Sequence, residues 1–94
     1  MQRMATYHQT ADELKTESEI IRIVQKDPAR FEVLYRKYYA QVYLFVLKRV
    51  ETQETARDIT SQVFLKALSN VAKYRDMGLP FSAWLFRIAR KGYC

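Results

Sequence analysis

The chain contains almost nothing that would staple it, break it or hold a metal. Its single cysteine, Cys94, stands at the last position, which excludes an internal disulfide. Its single histidine, His8, lies in a polar stretch, so no Cys/His zinc site is available. Two glycines and two prolines among 94 residues fall well below the usual combined share of about 12%. No stretch alternates polar and apolar residues for long enough to suggest a sheet. Together these shortages predict an all-α protein. No apolar run approaches the roughly twenty residues that span a bilayer, and the N-terminus lacks the apolar core of a signal peptide. A cytoplasmic protein with no membrane partner is therefore expected. Catalysis is expected to be absent as well, with no cofactor and no metal. The carboxylates are scattered, His8 stands alone, there is no glycine-rich phosphate loop, and Cys94 has no basic environment in the sequence.

What is present is apolar and basic. With 49% hydrophobic and 14% aromatic residues, the chain can bury one compact core. The net charge of +6 comes in blocks. Residues 28–50 carry five Lys/Arg against Glu32 alone, and residues 73–94 carry five against Asp76 alone, whereas 1–27 and 51–72 each sum to −1. Clustered cations attract polyanions such as nucleic acid, although a solvated basic helix has the same composition.

Residues 1–16 are polar and aperiodic, contain two candidate starts at Met1 and Met4, and are read as a mobile leader ahead of a domain over 17–94. Ile20, Ile21, Ile23 and Val24 predict a first helix over 17–26, ended by Asp27-Pro28, with Asp27 placed to cap and Pro28 to occupy the next first turn. In a second helix, over 28–49, Phe31, Leu34, Tyr35, Tyr38, Val42, Phe45 and Val46 recur at three- and four-residue intervals on one face. The tyrosines of this seam read as packing residues with hydroxyls at the rim. Thr52 is placed to cap a third helix that runs to Lys73, with Ala56, Ile59, Thr60, Val63, Phe64, Ala67 and Val71 on its core face. Its opposite face carries Asp58, Ser61, Gln62, Leu65 and Ser69, a leucine framed by hydrogen-bonding side chains, which is how a helix-binding patch is built.

Turn chemistry falls at 74–80, where Gly78 permits a positive φ and Pro80 disfavours helix in the residue before it. A fourth helix from Pro80 or Phe81 is expected to bury Phe81, Trp84, Leu85 and Ile88, leaving Arg87, Arg90 and Lys91 as a basic stripe. An aromatic and an arginine in a loop that feeds such a helix suit single-stranded nucleic acid, whose bases stack and whose phosphates attract guanidinium groups.

The string Ala56-Arg57-Asp58-Ile59-Thr60-Ser61-Gln62-Val63-Phe64-Leu65-Lys66-Ala67, followed by Phe81-Ser82-Ala83-Trp84-Leu85-Phe86-Arg87-Ile88-Ala89-Arg90, closely resembles region two of bacterial sigma factors of the extracytoplasmic-function (ECF) type. The resemblance covers about residues 17–91 and includes the aromatic second helix. It implies a compact bundle of about four helices that serves transcription initiation. It further implies that the outer face of the third helix, at Asp58, Ser61, Gln62 and Leu65, grips the clamp helices of the beta-prime subunit of RNA polymerase core. Where the family usually has Gln-Glu this chain has Ser61-Gln62, which leaves Asp58 to carry the charge complementarity.

By the same resemblance, Lys73, Tyr74, Arg75, Asp76 and Met77 of the loop, with Ala83, Arg87, Arg90 and Lys91 of the fourth helix, would capture flipped non-template bases of the promoter minus-ten element and stabilise the melted strand. Trp84 aligns with a wedging aromatic of housekeeping sigma factors, but its place on the apolar face assigns it to the core. An anti-sigma factor would be a further partner. The family ordinarily adds a helix-turn-helix domain, region four, that reads the minus-thirty-five element, whereas this chain stops at Lys91-Gly92-Tyr93-Cys94. That ending implies a truncated or excised domain, or a fragment that does not anchor upstream by itself. An alternative stays open: a sigma-like helical module that occupies the clamp helices without recognising a promoter.

Overall fold

A computed structural model describes residues 11–75 and 78–92 of the chain, and among these it contains four α-helices and no strand, as the scarcity of turn formers predicts. The helices are α1 (Ala11–Lys26), α2 (Glu32–Leu47), α3 (Gln53–Asn70) and α4 (Phe81–Gly92). Single 3₁₀ turns, Pro28–Phe31 and Val71–Lys73, precede α2 and follow α3. Residues 1–10 of the expected leader lie outside the described residues, as do Asp76, Met77, Tyr93 and Cys94.

Helix α1 begins at Ala11, six residues before the expected Glu17. Its first residues include Ala11, Glu13, Leu14 and Lys15, all strong helix formers, so the turn propagates without an apolar stripe to announce it. Thr52 caps α3 as expected, its hydroxyl accepting from the Thr55 N–H at 3.1 Å. Asp27 does not act as expected. Its side chain makes no capping bond, and instead pairs with Arg30 at 3.6 Å. Pro28 has no N–H to offer, so one orphan donor of that turn is already absent. Gly78 adopts φ +82°, a left-handed conformation that a side chain would strain.

The core is one cluster in which Leu34, Tyr38, Val42 and Val46 of α2 meet Ala56, Val63, Phe64 and Ala67 of α3 and Phe81, Leu85 and Ala89 of α4. Burying each large aliphatic side chain contributes about 1.5–3 kcal/mol. By comparison the exposed Glu32–Arg36 pair on α2 contributes at most about 0.5 kcal/mol, so packing and not surface charge sets the stability. Thr60 enters this core without an unpaired hydroxyl because its Oγ1 donates to the Ala56 carbonyl one turn back, at 2.7 Å. Ile21 and Val24 seat α1 on the same cluster.

Three expected core positions are corrected. Tyr35 is 39% exposed, because it lies one residue, or about 100°, from the Leu34–Tyr38–Val42–Val46 stripe and reaches only the rim. Trp84 and Ile88 are half-buried instead of enclosed. The strip where α4 meets the end of α3 is left open as a hollow of about 300 Å³, and both side chains line it.

Candidate nucleic-acid and partner-binding surfaces

The outer face of α3 presents Asp58, Ser61, Gln62 and Leu65 together, all exposed, with Leu65 63% accessible. Leu65 is less isolated than its polar neighbours in sequence suggest. It lines a groove of about 320 Å³ with Ser61, Leu68, Phe64, Phe31 and Tyr35. Leu68, three residues on and 37% exposed, was legible at helical spacing. Tyr35 comes from α2 and was not. Its ring packs edge-on against Phe64 at 5.0 Å and leans on Tyr39 at 5.3 Å, which holds the groove wall in place. Burial, then the neighbouring Tyr35 and Tyr43, raise the Tyr39 phenol above its ordinary pKa against the pull of Arg57, so this ring stays uncharged at neutral pH. Asp58 and Gln62 flank the groove without lining it, giving an apolar centre with a polar, acidic margin.

The second surface forms where the loop after α3 folds back onto α4. Lys73, Tyr74 and Arg75 from one side and Ala83, Trp84 and Arg87 from the other line a cleft of about 200 Å³, completed by Leu79 and Pro80. Five of the residues expected from the sequence to bind DNA, Lys73, Tyr74, Arg75, Ala83 and Arg87, thus meet in one place. Pro80, Ala83, Trp84 and Arg87 are spaced i, i+3, i+4, i+7, so a single stripe of α4 faces the loop. Asp76 and Met77 lie outside the described residues.

Lys91 lines the adjoining hollow with Lys66, Asn70, Lys73, Trp84 and Ile88. Lys66 and Asn70 escaped the sequence reading, although they stand one turn apart at the end of α3, just before Lys73 in the 3₁₀ turn. Arg90 is exposed and lines neither hollow. Across both hollows the lining cations among the described residues are Lys66, Lys73, Arg75, Arg87 and Lys91, and none of the described lining residues is a carboxylate.

Trp84 is the wall between the two hollows. Its indole packs against the rings of Tyr74 at 5.1 Å and Phe81 at 5.2 Å, and Tyr74 in turn meets Phe81 edge-on at 5.2 Å. It is both a packing residue and a cleft residue. Trp84→Ala is accordingly expected to cost about 2–3 kcal/mol, less than the roughly 3–5 of a fully enclosed aromatic. Urea unfolding monitored by circular dichroism measures this, and a loss above about 4 kcal/mol would mean the indole is enclosed.

A four-helix domain that offers one apolar groove and one basic, aromatic-walled cleft has the build of a recognition module. The sigma-70 region 2 family profile matches residues 34–93, and the chain belongs to that family. Over 60 residues it is 42% identical to the ECF RNA polymerase sigma factor BldN of Streptomyces coelicolor, covering 64% of this chain and 23% of that protein. Over 58 residues it is 36% identical to the RNA polymerase sigma factor YlaC of Bacillus subtilis, covering 62% of this chain and 33% of that protein. The chain thus spans a third or less of the length of these relatives. No solved structure matches it significantly. The family expected from the α3 and α4 motifs is the one found. No helix among the described residues is long and apolar enough to cross a membrane.

Proposed function

We propose that this domain binds RNA polymerase core through the outer face of α3 and holds the melted non-template strand of a minus-ten element in the cleft between the loop and α4. The observation that carries this reading is the convergence of Lys73, Tyr74, Arg75, Ala83 and Arg87 on one cleft. An unstacked base needs an aromatic face and matched edges, whereas the strand on either side needs cations. The cleft offers Tyr74 and Trp84 for the base. Lys66 and Lys91 extend the positive charge into the neighbouring hollow, along the path a phosphate backbone would take.

On the other surface, Leu65 and Leu68 with the Tyr35 edge would receive an apolar side chain of the beta-prime clamp helices. Asp58 and Gln62 would then meet polar or basic groups at the margin. An apolar centre with a polar rim is the usual anatomy of such contacts.

The two kinds of DNA contact are separable by salt. Lys66→Ala and Arg87→Ala should each weaken binding to all single-stranded oligonucleotides alike and reduce the salt slope by about 0.7. A chimera carrying the loop of a relative should change which sequence is preferred with the slope nearly intact. Titration of an oligonucleotide panel at several salt concentrations, with core polymerase present, reads both. Unchanged slopes in the alanine variants would remove the phosphate assignment. Binding to core polymerase with no sequence preference would favour a module that occupies the enzyme without reading a promoter.

A further inference from the structure

Helix α1 precedes the residues matched by the family profile, yet two of its side chains end on the backbone at the two edges of the cleft. At the entrance, Gln25 Nε2 donates to the carbonyl oxygens of Val71, at 2.9 Å, and Tyr74, at 3.0 Å. The Val71 carbonyl already accepts the Tyr74 N–H at 3.1 Å, which closes the 3₁₀ turn after α3, so Gln25 gives this turn a second donor and ties it to α1. At the exit, Glu17 Oε1 accepts from the Phe81 N–H at 3.1 Å, the first residue of α4. The other oxygen, Oε2, accepts from the Tyr38 hydroxyl and from Lys37 Nζ, the latter at 3.1 Å. Glu17 is only 2% exposed, and Val71 and Phe81 are equally enclosed.

Glu17 and Gln25 stand eight residues apart on one helix, a rise of about 12 Å. The segment that leaves at Tyr74 and returns at Phe81 therefore has both ends tied to one rigid rod. A loop with free ends must be ordered when it binds, and that ordering subtracts from affinity; fixing the two ends removes part of that cost. Ile21 and Val24 already dock α1 through apolar contact, so the Gln25 bonds add little buried area. Their effect falls on where the loop begins.

We infer that α1 is a spacer that holds the single-strand cleft open at its working width, with Gln25 and Glu17 as positioning residues. This rests on the reading of the cleft as a DNA site. Gln25 acts through Tyr74, which lines the cleft and packs on Trp84. Trp84 is the only tryptophan of the chain, so its emission reports where Tyr74 sits without any DNA present.

The test uses the 94-residue chain as wild type, Gln25→Met and Gln25→Lys. Methionine keeps the length of the side chain and removes both donors, whereas lysine restores donors at its end. Four quantities are read: melting temperature, affinity for core polymerase, Trp84 emission, and the affinity ratio between the tightest single-stranded DNA of a panel and its scrambled counterpart. A uniform electrostatic gain from the added lysine cancels in that ratio. Gln25→Met is expected to shift the emission and to lower the ratio roughly tenfold, equivalent to about 1.4 kcal/mol, with core affinity retained and melting changed by only a few degrees. Gln25→Lys should recover both the emission and the ratio. Wild-type emission and ratio in Gln25→Met would overturn the inference and leave the cleft reading intact. Loss of core affinity and melting temperature in step with the ratio would also overturn it, as general destabilisation. A wild type with no sequence preference would overturn the cleft reading, and the binding role of α1 with it.

Discussion

Leu65→Arg is expected to lower affinity for RNA polymerase core by more than roughly a hundredfold, about 2.7 kcal/mol, with the melting temperature within about 2 °C of wild type. The fold has little at stake at this position, because Leu65 is 63% exposed and leucine and arginine have nearly equal helix propensity. The complex has much at stake. A guanidinium at the centre of the groove formed with Tyr35, Phe64 and Leu68 would be desolvated without a partner, which costs several kcal/mol. Leu65→Ala only shortens the contact and should cost less. Both are measured by competition for core polymerase against the wild-type chain. Undiminished affinity in Leu65→Arg would remove the α3 face as the binding surface and would leave the reading of the α4 cleft standing.

Glu17→Ala is expected to destabilise the domain by about 3 kcal/mol, because a buried donor deprived of its acceptor costs about 1–3 kcal/mol and two such donors are involved. The Phe81 N–H and the Tyr38 hydroxyl both give up their Glu17 partner, whereas Lys37, with a side chain 44% exposed, turns to water. For a domain of this size that corresponds to a fall in melting temperature of roughly 12–24 °C. Glu17→Gln keeps one amide oxygen for the Phe81 N–H and turns its NH2 to the Tyr38 hydroxyl, which can accept in place of donating, so it should lose about a third as much. Thermal unfolding by circular dichroism decides the matter, and a fall of under about 3 °C in Glu17→Ala would show that the bridge among α1, α2 and α4 is dispensable.

The bridge also marks where sequence reading stops. Glu17 entered that reading only as the first residue of a helix, and Gln25 had no role in it. Nothing near either residue in the chain hints at a partner, since those partners lie 46 to 64 positions away for the loop contacts. Trp84 shows the same boundary from the other side. Its place on the apolar stripe of α4 was correct, but half-burial followed from an open strip between α3 and α4 that no property of α4 alone reveals.

By itself the sequence determined the four helices, the Thr52 cap, the positive φ at Gly78, the α2 seam of Leu34, Tyr38, Val42 and Val46, and the family signature on α3 and α4. All of these are local, because the 3.6-residue period and the φ/ψ limits of each residue act within a turn or two of the chain. Only the tertiary structure decided that Tyr35 walls the Leu65 groove, that Lys66 and Asn70 join Lys91 beside the cleft, and that α1 holds the Tyr74 and Phe81 ends of the loop. These depend on how whole helices are set against one another by the shared core, and a hydrogen bond between side chain and distant backbone exists only once that packing has brought donor and acceptor within about 3 Å.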